Sequence, residues 1–126
     1  MLKLLRNLML AIAGFVLLVL AIATAQAAGA LAVGTCGAYG YGFDYHKEGD
    51  ARVAAMRKCT GAGCKVVGTV RRGCAAMAVD AKNPCGSFGW AINSHLGKAE
   101  NISMRRCFEY GGRDCVVRAW ACDEKG

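Results

Sequence analysis

Two histidines, His46 and His95, each stand ten residues after a cysteine, Cys36 and Cys85, an equal offset that would suit a paired metal or acid–base site if the fold joined them. Equal offset is not proximity, and a histidine in a polar stretch ahead of a helix is ordinarily solvated. Asp44, Glu48 and Asp50 could act as a carboxylate pair. They equally suit the positive end of a helix, with Asp50 just before Ala51 as its cap. Gly37, Gly40 and Gly42 alternate with aromatics and no Lys-Ser/Thr follows, so they form no phosphate loop. Gly-x-Ser-x-Gly, His-Glu-x-x-His and a Ser/His/Asp grouping are all missing. The sequence therefore nominates no catalytic residue and no cofactor.

Cysteine is the other reactive type, at positions 36, 59, 64, 74, 85, 107, 115 and 122. Zinc is not expected, because no Cys-x-x-Cys occurs and the closest pair, Cys59 and Cys64, is separated by four residues. The even count argues against a free catalytic thiol. Eight cysteines in a chain of 126 residues are instead the density of a small domain stapled by disulfides, which form and persist where the surroundings are oxidising. A periplasmic or secreted location follows.

The N-terminus agrees. Lys3 and Arg6 precede an uncharged apolar stretch from Leu8 to Ala23, and Ala23-Thr-Ala25 and Ala25-Gln-Ala27 offer small-residue cleavage positions. Residues 1–27 read as a signal peptide cut after Ala25 or Ala27, leaving a domain over 28–126. The competing reading is a retained anchor, the one route by which this chain would meet a membrane. Without Lys3 and Arg6 the domain keeps a net charge of +5, with cations scattered and never in a run of five. No nucleic acid is indicated. Attraction to an anionic envelope component or an exported protein is compatible with that balance.

Positioning these residues is the task of an internal repeat. Cys36-Gly-Ala-Tyr-Gly-Tyr-Gly-Phe-Asp-Tyr-His46 aligns without a gap on Cys85-Gly-Ser-Phe-Gly-Trp-Ala-Ile-Asn-Ser-His95, and Ala51 to Cys59 on Ala99 to Cys107. Cys64-Lys-Val-Val and Cys115-Val-Val-Arg then open similar apolar runs. Each half, about 36–80 and 85–123, reads as strand, helix, strand. The strands alternate Tyr39, Tyr41 and Phe43, or Phe88, Trp90 and Ile92, with small residues. The helices carry Ala51, Ala54, Ala55 and Cys59, or Ala99, Ile102, Ser103 and Cys107, on one side. Arg71-Arg-Gly73 looks like a hairpin turn into a middle strand, Cys74 to Val79. The expected fold is a two-layer α+β domain of about five mostly antiparallel strands and two helices.

Together, Tyr39-Gly-Tyr41, Gly89-Trp90, the Arg-Lys-Cys59 helix end, Cys64-Lys-Val-Val and Gly73-Cys74-Ala-Ala-Met-Ala resemble a family of small secreted bacterial domains, domain of unknown function 4189. The likeness runs from about Cys36 to Asp123. It implies no activity, substrate or catalytic residue. Cys36 and Cys85 look like additions to the commoner pattern of that family.

Three function classes remain: a non-catalytic exported binding or inhibitory module, an envelope structural protein, and a small periplasmic hydrolase. For the first, the expected surface is the bare strand face, where Gly40, Gly42 and Gly89 admit close approach, together with Arg118 and Trp120. The alternative for Trp120 is a place in the core beside Tyr41 and Trp90. Eight cysteines allow 105 pairings. The repeat favours Cys59–Cys64 and Cys107–Cys115 at equivalent helix–strand joints, Cys36–Cys85 between the two strand starts, and Cys74–Cys122. The rival joins Cys59 to Cys74 and Cys107 to Cys122, closing larger loops.

Overall fold

The computed structural model of the chain describes residues 1–22 and 27–123. The chain runs α1 (Leu2–Ile22), β1 (Ala28–Val33), β2 (Tyr39–Tyr45), α2 (Glu48–Lys58), β3 (Lys65–Arg71), β4 (Cys74–Asp80), β5 (Phe88–Asn93), α3 (Leu96–Glu109) and β6 (Cys115–Cys122). The strands form two antiparallel three-stranded sheets, ordered β2-β1-β3 and β5-β4-β6. The fold is α+β.

The count of strands rises from five to six because Ala28–Val33 is a strand. It is the middle strand of its sheet, buried at every position. Apolar side chains on both faces leave no alternation to mark it, so it reads as a continuation of the apolar leader. Its counterpart is β4, buried along its whole length. Each half is therefore strand, strand, helix, strand, over 28–71 and 74–122, and Cys74–Asp80 opens the second half instead of linking the two. Arg72-Gly73 is consequently no hairpin turn, because β3 and β4 belong to different sheets. Asp123 holds that crossing, its carboxylate accepting from the backbone N–H groups of Arg72 and Gly73.

The sheets pack face to face and the helices cover their outer faces, which makes four layers where two were expected. Leu31, Val33 and Val70 of one sheet meet Ala75, Met77 and Val79 of the other in the central core. On the outer faces, Ala30 and Ala32 pack on Ala51 and Ala55 of α2, and Ala78 packs beside Cys107 of α3. The β1–β3 and β4–β6 ladders share a register, whereas the β1–β2 ladder shifts between Ala28 and Ala30 and β4–β5 runs unbroken. In β3 the ladder to β1 skips Val67, and in β6 the ladder to β4 skips Arg118 at the equivalent place.

All eight cysteines are paired, as Cys36–Cys85, Cys59–Cys64, Cys74–Cys122 and Cys107–Cys115. This is the scheme favoured by the repeat over its larger-loop rival. Four disulfides in so small a domain point to an oxidising, extracytoplasmic environment. Among the described residues no helix is long and apolar enough to cross a membrane. The leader positions around Ala25 lie outside the described residues.

Candidate functional site

The glycine face proves to be covered. A Cβ at Gly40 would stand 2.2 Å from the Ala55 carbonyl oxygen, one at Gly42 2.6 Å from that of Ala51, and one at Gly89 2.3 Å from that of Ser103. These glycines let α2 and α3 lie directly on the strands, so Gly40, Gly42 and Gly89 are packing positions beneath the helices, with Gly40 also lining a hollow beside Lys58. Sequence alternation identified the bare face correctly but not what fills it.

His46 and His95 are both exposed, at the ends of the edge strands β2 and β5. Those strands face different neighbours across the sandwich, β2 meeting β6 and β5 meeting β3. The described residues contain no His/Cys/Asp/Glu group able to hold a metal. Asp50 is not a cap: the cap position of α2 is Lys47, without a side-chain hydrogen bond, and Glu48 and Asp50 sit in the first turn. Their charges still favour the helix dipole.

What remains is the edge where β2 meets β6. Tyr39 and Tyr41 are nearly parallel, with ring centroids 6.3 Å apart, and Phe43 meets Tyr41 edge-on at 5.9 Å. The Lys58 ammonium, from the last turn of α2, lies 5.5 Å from the Tyr41 centroid. The Arg118 guanidinium lies 5.9 Å from that of Tyr39, and its Nε donates to the Gly37 carbonyl at 3.0 Å. Trp120, two residues further along β6, is 55% exposed. It belongs to this edge, away from Trp90, and does not fill the core.

Two open hollows meet here. One, of about 640 Å³, lies between the Cys36–Ala38 turn, Lys58 and Gly61. The other, of about 560 Å³, lies between Phe43, Trp120 and Ala121. Tyr39, Tyr41 and Arg118 line both, so the two form one groove along β2. No acidic side chain among the described residues lines either hollow. Among the described residues no carboxylate pairs with Lys58 or Arg118. The groove is basic and aromatic, lined by Lys58, Arg118, Tyr39, Tyr41 and Trp120.

The repeat separates scaffold from candidate function within this site. Lys58 over Tyr41 recurs as Arg106 over Trp90, 5.6 Å from the centroid, with Arg106 also donating to the Trp90 carbonyl. Arg118 and Trp120 do not recur: the positions paired to Leu31 and Ala30 in the first sheet, and the residue skipped beside them, make Val67 and Thr69 their counterparts. Arg118 and Trp120 were legible as candidates. Lys58, Tyr39 and Tyr41 were not, because only an edge strand leaves them accessible, and β2 becomes an edge once β1 takes the middle of the sheet.

Comparison with curated proteins and with solved structures gives no match. Residues 28–122 match the family described as domain of unknown function (DUF4189), which takes in β1 to β6, the whole sandwich. The chain belongs to the DUF4189 family.

Proposed function

We propose that the protein is an exported, non-catalytic binding or inhibitory module whose binding face is the β2–β6 groove. The observation that carries this reading is that two exposed groups, Arg118 and Trp120, decorate one sheet edge while the same backbone positions hold Val67 and Thr69 on the other. A fold that is stable with Val and Thr there does not need Arg and Trp for packing. Four disulfides hold the groove rigid, which limits the ordering entropy lost on binding.

Export in this reading follows from residues 1–27 acting as a cleaved leader to the periplasm or exterior. Every side chain of residues 1–17 is exposed, Leu2 and Phe15 included, so this stretch of the apolar helix packs on nothing in the described domain. Ala28 is fully buried. A cut after Ala25 therefore suits the fold better than one after Ala27, since it keeps the new ammonium two residues outside the strand. Mass spectrometry of the exported protein should find Gln26 at its start. Met1 retained in the mature species would overturn the leader reading.

The binding reading is tested with Arg118→Val/Trp120→Thr, which installs on β6 the residues β3 already carries. Immobilised oxidised protein should retain an envelope component that the double variant does not. Equal retention by both would remove the groove as the binding face, and no retention by either would remove the binding reading.

A further inference from the structure

We infer that the β2–β6 groove takes an acidic polysaccharide, a linear chain of sugar rings bearing carboxylates. The inference rests on the binding reading above and names its ligand. Three features select this class. The groove is open and continuous along β2, with hollows sharing Tyr39, Tyr41 and Arg118, which fits a passing chain better than an enclosed small molecule. Its walls offer aromatic rings, whose apolar, electron-rich faces accept the C–H face of a pyranose. Among the described residues its charged lining is Lys58 and Arg118, with no carboxylate, so an anion meets attraction.

The spacing adds a further constraint. Tyr39 and Tyr41 are two residues apart on one strand, and each carries its own cation at 5.9 and 5.5 Å. The groove thus repeats a ring-plus-cation unit at a centroid spacing of 6.3 Å. A polymer that repeats ring and carboxylate addresses both units, with Arg118 offering the planar fork that matches a carboxylate. Trp120 extends the aromatic wall on the far side. An acidic peptide would instead pair along the strand backbone, and the β2 ladder is irregular near Asp44, at a positive φ of 62°. Such irregularity works against added strands.

Affinity electrophoresis of the oxidised, exported protein tests this, using gels that contain polygalacturonate or its fully methyl-esterified, neutral form. Retardation is expected with the acidic polymer at low salt, lost with the esterified one, and weakened by added salt. Arg118→Val and Trp120→Thr should each raise the dissociation constant about tenfold, which corresponds to one charge-assisted or stacked contact. Four results would overturn the inference: no retardation, equal retardation by the neutral polymer, equal binding to poly-glutamate or oligo-dT, or variants that bind like the parent. If polygalacturonate fails while the double variant still loses its envelope component, the ligand class is wrong and the binding face stands. If that retention is also unaffected, both readings fall.

Discussion

The two halves of the sandwich build opposite edges from one backbone plan. Where β3 meets β5, the edge is closed: a Cβ at Gly68 would lie 2.3 Å from Ile92 Cδ1, so Ile92 presses directly onto the facing strand, with Trp90 beside it. Where β2 meets β6, the counterparts are Phe43 and Ala119; the gap behind them admits no water molecule, and in front of them opens the hollow of about 560 Å³ that they line with Trp120. The β1–β3 and β4–β6 ladders skip a residue at the same place, so the difference comes from the side chains at these edges and from the extra residue that the β1–β2 ladder, unlike β4–β5, takes up near Asp44. Within a single chain, one half thus serves as a control for the other. Whatever appears once at an exposed position, as Arg118 and Trp120 do, is not required by the scaffold and is available for another purpose.

The disulfides give the largest expected contrast. Cys36–Cys85 joins the halves across 49 residues, whereas Cys59–Cys64 and Cys107–Cys115 close loops of 5 and 8 within them. In the chain-entropy model, replacing the first pair by alanines costs about 4 kcal/mol and replacing Cys59–Cys64 costs about 2. Denaturant titration checks the order. Equal losses would mean that the halves are not independently ordered loops in the unfolded chain.

Glycine substitution should show the halves behaving alike. Gly40→Ala and Gly89→Ala each drive a methyl into the backbone of the covering helix, and each should cost about 3 kcal/mol. A large difference between them would break the equivalence of α2 and α3 packing.

Tryptophan should show them behaving differently. Trp90 is half-buried against the central core and should cost about 2 kcal/mol on replacement by alanine, below the roughly 3–5 of a fully buried aromatic. Trp120→Thr should stay within about 0.5 kcal/mol. A loss at Trp120 matching that at Trp90 would return it to the core and remove the argument for the groove.

The smallest contrast is acidic. Asp80 ends β4 where β1 is followed by Gly34, and its carboxylate accepts from the backbone N–H groups of Arg113, Lys82 and Asn83 at 3.1, 2.9 and 3.2 Å. These bonds, Arg113 first, hold its pKa below the ordinary carboxylate value despite opposing desolvation. A depressed folded-state pKa stabilises above the unfolded value, about 3.9, and the stabilisation is lost as pH falls through the folded value. Hydrogen-exchange protection in the 80–87 connection, measured against the intrinsic rate at each pH, should therefore fall below about pH 4 in the parent. In Asp80→Asn the protection should already be low at pH 7 and vary less with acid.

Much of this was legible without coordinates, for definite reasons. The repeat shows itself because Cys36 and Cys85, Cys59 and Cys107, Cys64 and Cys115, the helix-covered Gly40 and Gly89, and the aromatics Tyr39 and Phe88, Tyr41 and Trp90 stand in register. The disulfide scheme follows from that symmetry, since equivalent joints are stapled alike. The α+β class follows from alternation in β2 and β5 and from the small-residue faces of α2 and α3. Ala28–Val33 was hidden because a strand buried on both faces carries no polar alternation, and without it neither the two sheets nor the start of each half could be placed. Only the tertiary structure decided which side of each strand meets water. A glycine-rich face can receive a ligand or a helix equally well, and the choice depends on whether a helix returns across it. Tyr39, Tyr41 and Trp120 likewise could line a core or a groove, and it is the position of β2 and β6 at the open edge of the sandwich that exposes them.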